Sequence, residues 1–351
     1  MLKILTINPG STSTKIAIYE NKNCIENHSI LHNQKVLDMP LFPDQLIYRQ
    51  KEITEYLQKR SHAIETIDAL AVRGGRLKPL SSGVYSVNEA MVKDAEAGLQ
   101  GSHPANLAVV MAWDLFKKYK IPAYTVDPIS VDELEDFVRI TGIKGIQRNC
   151  LSHALNMKAV AKKAAYDIGK PYEESNFIIA HLGGGGSIGA HKKGRMVDVY
   201  NSDKEGPFSV ERAGNLPSLD LISYLNEGKR SFAQSIDEIT HKSGLYSYFE
   251  SRDMAHIEVQ SKNDKKLAII LQAYIYNISK YVCSLLPILN GDLDAVILTG
   301  GVCHSSFIQE MLNEKLSFLG KIMFYPGEFE NESLAHNVFL AIKGDIIINE
   351  Y

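Results

Sequence analysis

The residues best suited to chemistry in this chain gather in three small-residue loops. The first reads Asn8-Pro9-Gly10-Ser11-Thr12-Ser13-Thr14-Lys15. Small residues admit a ligand close to the backbone, and hydroxyls, an amide and one cation suit phosphate oxygens. The same residues also suit a plain β-hairpin turn. The second reads His181-Leu182-Gly183-Gly184-Gly185-Gly186-Ser187. A glycine run of that length costs conformational entropy on folding and exceeds what a hairpin needs, so close approach of a ligand explains it better. The third, Thr299-Gly300-Gly301-Val302, ends an apolar run. A glycine pair at the carboxyl end of a strand suits a nucleoside, and equally a strand-to-helix turn. Neither of the first two loops matches G-x-x-x-x-G-K-[ST], and neither runs from strand into helix as a dinucleotide fingerprint does. The stretches 187–191 and 196–200 read as further strands. Phosphates held between two strand-loop-strand hairpins are a different nucleotide-binding plan.

The elements that position these loops follow from the patterning. Short β-branched runs at 2–7, 15–19, 69–72, 123–126, 177–180, 295–298 and 322–325 read as strands, and amphipathic stretches at 105–119, 152–166, 267–289 and 334–342 as helices. Pro104 suits a helix start. The 267–289 stretch is long and mostly apolar, so it belongs in an interior or at an interface. Strands alternating with helices predict an α/β fold. LKILTINPGSTSTKIAIY, NFIIAHLGGGGSIGAHKKG and, late in the chain, LDAVILTGGVCHSS repeat one theme. A strand-loop-strand unit in each half predicts an internal duplication, a boundary shortly before Ser152 and a cleft between the halves.

Composition removes other classes of function. The chain has 351 residues, with 38 Lys and Arg against 41 Asp and Glu, a net charge of -3 that leaves no footprint for non-specific nucleic-acid binding. No apolar run approaches the ~20 residues of a membrane span. The stretch MLKILTINPGS is too soon polar for a signal peptide. Cys24, Cys150, Cys283 and Cys303 are scattered, with no C-x-x-C, which argues against zinc and a disulfide framework. A cytoplasmic protein that binds neither nucleic acid nor membrane is expected.

On these residues the chain resembles the acetate and butyrate kinases, carboxylate kinases of the superfamily that includes sugar kinases, actin and heat-shock chaperone ATPases. N-P-G-S-T-S-T-K resembles the family's opening N-x-G-S-S-S-x-K, H-L-G-G-G-G-S its H-L-G-x-G-x-S, and I-L-T-G-G-V its adenosine loop. Ser102-His103-Pro104-Ala105-Asn106, Val126-Asp127-Pro128, Glu211-Arg212-Ala213-Gly214 and Asn331-Glu332-Ser333-Leu334-Ala335 fall in the family's order. Arg73-Gly74-Gly75 and the stretch around Ser152-His153-Ala154-Leu155-Asn156 are similar to the butyrate rather than the acetate branch, as is the chain's length. Asn149 stands where acetate kinases place an active-site histidine.

The resemblance implies a duplicated two-domain actin-like ATPase fold, with ribonuclease H-like halves and a central cleft. It implies an acid-binding half at 1–150, to which 333–351 return, and a nucleotide-binding half at 151–332. The implied reaction converts a short-chain carboxylate and ATP, with Mg²⁺, into an acyl phosphate and ADP, reversibly. Butyrate is the first expectation. A branched-chain acid, acetate or propionate is the alternative, and a nucleotide-sensing ATPase module is the reading from another class. In-line phosphoryl transfer asks mainly for positioning and charge neutralisation. Arg73 and Arg212 supply it by resemblance, with Arg76 close to the first. Asp127 and Glu332 are the expected metal carboxylates, Glu332 being separated from Glu328 and Glu330 by its motif alone. Asn8 orients the phosphoryl group or the metal's water, and His103 and His181 donate to phosphate oxygens. Ser11, Ser13, Lys15, Gly183, Gly184, Gly185, Gly186, Ser187, Gly300, Gly301, Val302 and Arg252 are expected around the nucleotide. A homodimer or higher homo-oligomer is expected.

Overall fold

A computed structural model describes residues 1–228 and 230–351. The strands among them are β1 (Lys3–Pro9), β2 (Ser13–Glu20), β3 (Asn23–Leu31), β4 (Ala69–Arg73), β5 (Val84–Ser86), β6 (Ala123–Val126), β7 (Asn176–Leu182), β8 (Gly186–Lys192), β9 (Arg195–Asn201), β10 (Ala295–Gly300), β11 (Ile322–Pro326) and β12 (Ile348–Asn349). The chain divides into two compact units. Met1–Asp132, Ala154–Asn156 and Phe329–Tyr351 form the first, and Glu133–His153 with Met157–Glu328 form the second.

The first unit is built on a sheet of order β12-β5-β6-β4-β1-β2-β3. β1 to β3 are an antiparallel meander, while β4 and then β6 lie parallel on the other side of β1. β1 is central because Ile4, Leu5, Thr6 and Ile7 are all fully buried, as both faces of the strand are covered. Ile53 and Leu57 of the helix Leu46–Lys59, with Leu107 and Met111 of the helix Asn106–Tyr119, join the core on one face. Leu334 and Val338 of the helix Glu330–Lys343 join Ile4, Ala71 and Val126 on the other. That last helix starts four residues before the patterning places it (330 against 334). Its first turn is acidic, which favours the helix N-terminus electrostatically but gives no apolar signal. β3, a polar and mostly exposed edge strand, was invisible to the patterning for the same reason.

The second unit repeats the plan. Its sheet runs β11-β10-β7-β8-β9, with β7 to β9 an antiparallel meander and β10 then β11 parallel beside β7. This matches β6-β4-β1-β2-β3 strand for strand. Each meander also breaks register between its second and third strands, at Ile18/Tyr19 in one and Ala190/His191 in the other. The long helix spans Lys265–Ser284 and stops before Pro287, which opens a short 3-10 turn. Residues 133–150, assigned from the sequence to the first half, pack with the second unit. Glu135 N–H donates to Val197 O at 3.1 Å. Arg148 pairs with Asp198 and Glu205 at 2.9 Å each and lies over the Tyr200 ring.

Two of the buried imidazoles, His32 and His191, are held neutral by their surroundings. His32 shares a 2.9 Å hydrogen bond with Thr14 Oγ1, and burial with nearby Arg49 pushes its pKa down to about 4. His191, against Tyr172 Oη at 2.7 Å, is lowered by burial and by Lys158. Below pH ~6.5 the unfolded chain binds protons that the fold refuses, so stability falls with falling pH by about 1.4 kcal/mol per pH unit for each ring. For His32 the loss continues to about pH 4, where the folded ring also titrates. Urea midpoints between pH 7 and pH 5 should therefore fall less steeply in His32→Asn than in the parent; parallel slopes would show that His32 titrates normally.

Candidate active site

In the first unit three parallel neighbours, β1, β4 and β6, end side by side, and each delivers one polar residue at its carboxyl end. Asn8 follows the Ile7–Val72 register pair, Arg73 faces Val126, and Asp127 comes next. Asn8 Nδ2 donates to Glu330 Oε2 at 2.6 Å. Arg73 Nη1 lies 3.3 Å from the same oxygen and 3.4 Å from Asn8 Oδ1. Glu330 is 3% exposed, so this carboxylate is held out of water by an amide and a guanidinium. Lys15 is the cross-strand partner of Asn8, which places both on one face of the sheet.

Asp127 is buried and adopts φ +40°, an uncommon conformation for a non-glycine residue. Its Oδ1 accepts from Ser82 Oγ at 2.6 Å and Gly83 N–H at 2.9 Å. Its Oδ2 takes no hydrogen bond from a described residue. The glycines after Arg73 serve packing. A Cβ at Gly74 would overlap Pro128, and one at Gly75 would overlap Asn106. Asn106, fully buried, accepts from Arg76 N–H at 2.8 Å and fixes where that arginine leaves the backbone. His103 Nδ1 accepts Ala105 N–H at 3.1 Å at the start of the helix Asn106–Tyr119, so a neutral ring carries its proton on Nε2.

Glu332 does not join this group. It is exposed on the helix, whereas Glu330, two residues earlier, reaches Asn8 and Arg73. The acidic stretch hid the difference, because only the helical register tells which carboxylate turns inward.

In the second unit the β7–β8 hairpin presents the glycine run. Gly183 N–H donates to Gly185 O at 3.0 Å, and Gly184 O accepts from Ser209 Oγ at 2.6 Å and Glu211 N–H at 3.0 Å. The loop is thus tied to the segment carrying Arg212. A Cβ at Gly185 would overlap the Arg212 guanidinium, which lies against the backbone there and pairs with Asp203 at 2.6 Å. Ser187 is the cross-strand partner of His181. His181 stacks on His153 with centroids 4.0 Å apart, and His153 Nδ1 is 2.9 Å from Ser187 Oγ. His153 is thereby part of the site's support, a role that no local pattern announced.

A cavity of about 500 Å³ opens beside this loop, lined by Gly183, Gly184, Glu211, Arg252, Gly301 and His304 among others. Gly300, at φ +95°, lies so close to Leu182 that any Cβ would strike its backbone, whereas a Cβ at Gly301 would meet nothing within 4 Å. Gly300 therefore closes β10 onto β7, and Gly301 faces open space. Val302 is buried in the core and reaches the cavity wall. Arg252 pairs with Glu211 at 2.9 Å and lies 4.0 Å over the Tyr246 ring, so its guanidinium plane is set at the cavity wall. The volume and mixed lining suit a nucleoside. Ser11 sits on the hairpin loop of the other unit, and Ser13 opens β2 at its end.

Solved structures show the same architecture. An acetate kinase from Porphyromonas gingivalis aligns over 98% of this chain and 100% of its own, with TM-score 0.80 and 20% identity. A propionate kinase from Francisella tularensis aligns over 96% and 99%, with TM-score 0.77 and 19% identity. The chain has the duplicated two-domain actin-like ATPase fold. The acetokinase family profile matches residues 140–335. A probable butyrate kinase of Enterococcus faecalis is 40% identical over 98% of this chain and 96% of its own length. Butyrate kinase 2 of Clostridium acetobutylicum is 40% identical over 99% of each. The chain belongs to the acetokinase family and is a kinase.

Two expectations follow from the geometry. Glu330→Gln should lower kcat by about 10²-fold or more, since the buried charge that holds Asn8 and Arg73 in place is lost, while Glu332→Gln should stay within about twofold of the parent. Equal effects in steady-state assays would dissolve the distinction. Gly185→Ala should displace Arg212 and lower kcat by about tenfold or more, with the thermal midpoint little changed because the clash falls on a side-chain end. Full activity would detach Arg212 from the chemistry.

Proposed function

We propose that this chain phosphorylates butyrate with ATP, giving butyryl phosphate and ADP reversibly by direct in-line transfer. The observation that carries the reading is the Asn8–Arg73–Glu330 group beside Asp127, on a chain whose relatives over nearly its full length include butyrate kinases. The second unit holds the nucleotide, with loop two at its phosphates and Gly301 and Arg252 at the nucleoside. The first unit holds the acid, with Arg73 as the partner of its carboxylate and loop one, through Ser11, Ser13 and Lys15, at phosphate oxygens. A carboxylate is already a nucleophile at neutral pH, so no strong base is needed. The chain's own work is to bring two anions together and neutralise them, which suits Arg73 and Arg212, since guanidinium stays charged when partly buried. His181 and His103 complete the donors.

Mg²⁺ fits these residues. Kinases hold it with one or two carboxylates, water and the nucleotide's phosphates, and Asp127, with Oδ2 unclaimed, and Glu330 would serve as those carboxylates. When bound it would neutralise charge on the phosphate oxygens. Glu330 replaces Glu332 in this reading.

The enzyme works in the cytoplasm, where ATP is available; no helix among the described residues is long and apolar enough to cross a membrane. A homodimer or larger assembly is supported by exposed apolar side chains on neighbouring helices of the second unit: Leu219, Ile222, Phe232 and Ile236, with Ile269 and Tyr276 of the long helix.

Trapping acyl phosphate as hydroxamate from a panel of acids tests the substrate. Butyrate should give the highest kcat/KM, and acetate should fall by about one to two orders of magnitude, since each buried methylene is worth about 0.8 kcal/mol. A preference for isobutyrate or isovalerate would move the assignment to a branched-chain acid, and ATP loss without acyl phosphate would end it. A monomer mass by light scattering would remove the assembly.

A further inference from the structure

Beneath loop one lies a charge that the reaction described above does not use. Arg49, on the helix Leu46–Lys59, has no exposed surface. Its Nη1 donates to Gly10 O at 2.9 Å, Ser13 O at 3.3 Å and Thr14 Oγ1 at 3.2 Å, and its Nη2 donates to Gln45 Oε1 at 2.9 Å. Its Nε has no hydrogen-bond partner. No carboxylate among the described residues is within ion-pair distance, so every acceptor is neutral. The one titratable group sharing these acceptors is His32, at 2.9 Å from Thr14 Oγ1, and it is neutral at physiological pH. Burial lowers Arg49 itself only to about 10, so it stays charged.

A buried cation with no counter-ion is expensive to keep, and a methionine or leucine of similar volume would cost less. The geometry points to Arg49 as a positioning residue for phosphoryl transfer, which turns the loop-one carbonyls inward and sets an unneutralised positive charge behind a phosphate bound at that loop. The first half follows from the planar trans peptide. Gly10 C=O points at Arg49, so the Ser11 N–H of the same peptide points the opposite way, toward the exposed side of the loop. The second half follows from low local dielectric, in which an unpaired charge acts strongly on an anion nearby. The bound phosphate then supplies the counter-charge that the protein withholds. This rests on loop one holding phosphate oxygens.

The test compares Arg49→Met, Arg49→Lys and the double variant Ser11→Ala/Ser13→Ala in the full-length enzyme, by kcat, by KM for ATP and for acid, and by thermal midpoint. Arg49→Met should lower kcat about ten- to hundredfold, with KM for ATP within about threefold and a thermal midpoint equal to or above the parent's. Arg49→Lys, which restores the charge, should recover most of kcat. Full kcat in Arg49→Met would overturn the inference, and so would a loss that tracks a lowered midpoint and is not relieved by lysine. If Arg49→Met does not fold, Arg49→Gln against Arg49→Lys decides by the same criterion. An unimpaired loop variant would overturn the loop reading and this inference with it. An impaired loop variant beside a fully active Arg49→Met would overturn this inference alone.

Discussion

The buried carboxylate of Glu330 is the interaction on which the first unit depends. It joins Asn8 at the end of the first strand to the first turn of the last long helix, 322 residues later, at 2.6 Å. A carboxylate taken out of water must be compensated, and Asn8 and Arg73 are the groups that do so. Their positions are then fixed: Asn8 is turned toward the helix, and Arg73 is drawn across from the neighbouring strand. The same contact returns the chain's end to its beginning, so that Leu334 and Val338 bury against Ile4 and Ala71. Packing and chemistry share one anchor. A negative charge at the proposed anion site would otherwise be unfavourable, and the proposed divalent cation together with Arg73 would balance it.

Much of the fold was legible in the sequence because its central strands are short, apolar and end in recognisable loops. Ala123–Val126 coincides with its predicted span, and β1, β4, β7 and β10 differ at their ends by one to two residues. The duplication was legible through the repeated strand-loop-strand unit, and the sheets agree down to the position of a register break. The failures were polar. β3, Asn-Cys-Ile-Glu-Asn-His-Ser-Ile-Leu, carries no alternation because one edge and much of both faces meet water. Residues 133–150 join the second unit through Arg148 and backbone contacts to β9, and such ion pairs leave no periodic trace.

The candidate site was picked out by motif rather than by geometry. Asn8, Arg73 and Asp127, singled out chiefly by resemblance, lie at adjacent strand ends. Glu330 was passed over because three glutamates alternate along one stretch, and a linear sequence does not say which faces inward. The glycines show the same limit. Gly75 and Gly300 are fixed by contacts with Asn106 and with the Leu182 backbone, so they shape the site without having to touch a ligand, while Gly301 faces open space. Identical residues in one dipeptide thus have different reasons to be glycine.

The duplicated halves treat their hairpins alike in one respect and differently in another. Each sets a guanidinium against its loop: Arg49 behind Gly10 and Ser13, Arg212 against Gly185. Arg212 is paired with Asp203 at 2.6 Å and partly exposed, whereas Arg49 is fully buried and meets only neutral oxygens. A paired, half-open arginine can exchange its carboxylate for a phosphate oxygen at little net cost, because one anion replaces another. A sealed arginine cannot move to the ligand, and acts only by orienting the backbone and by its field. One fold, used twice, therefore yields one loop whose cation is paired and partly exposed and one whose cation is sealed among neutral oxygens; under the proposed function, that asymmetry would suit a nucleotide released after each turnover and a phosphoryl group received in one orientation.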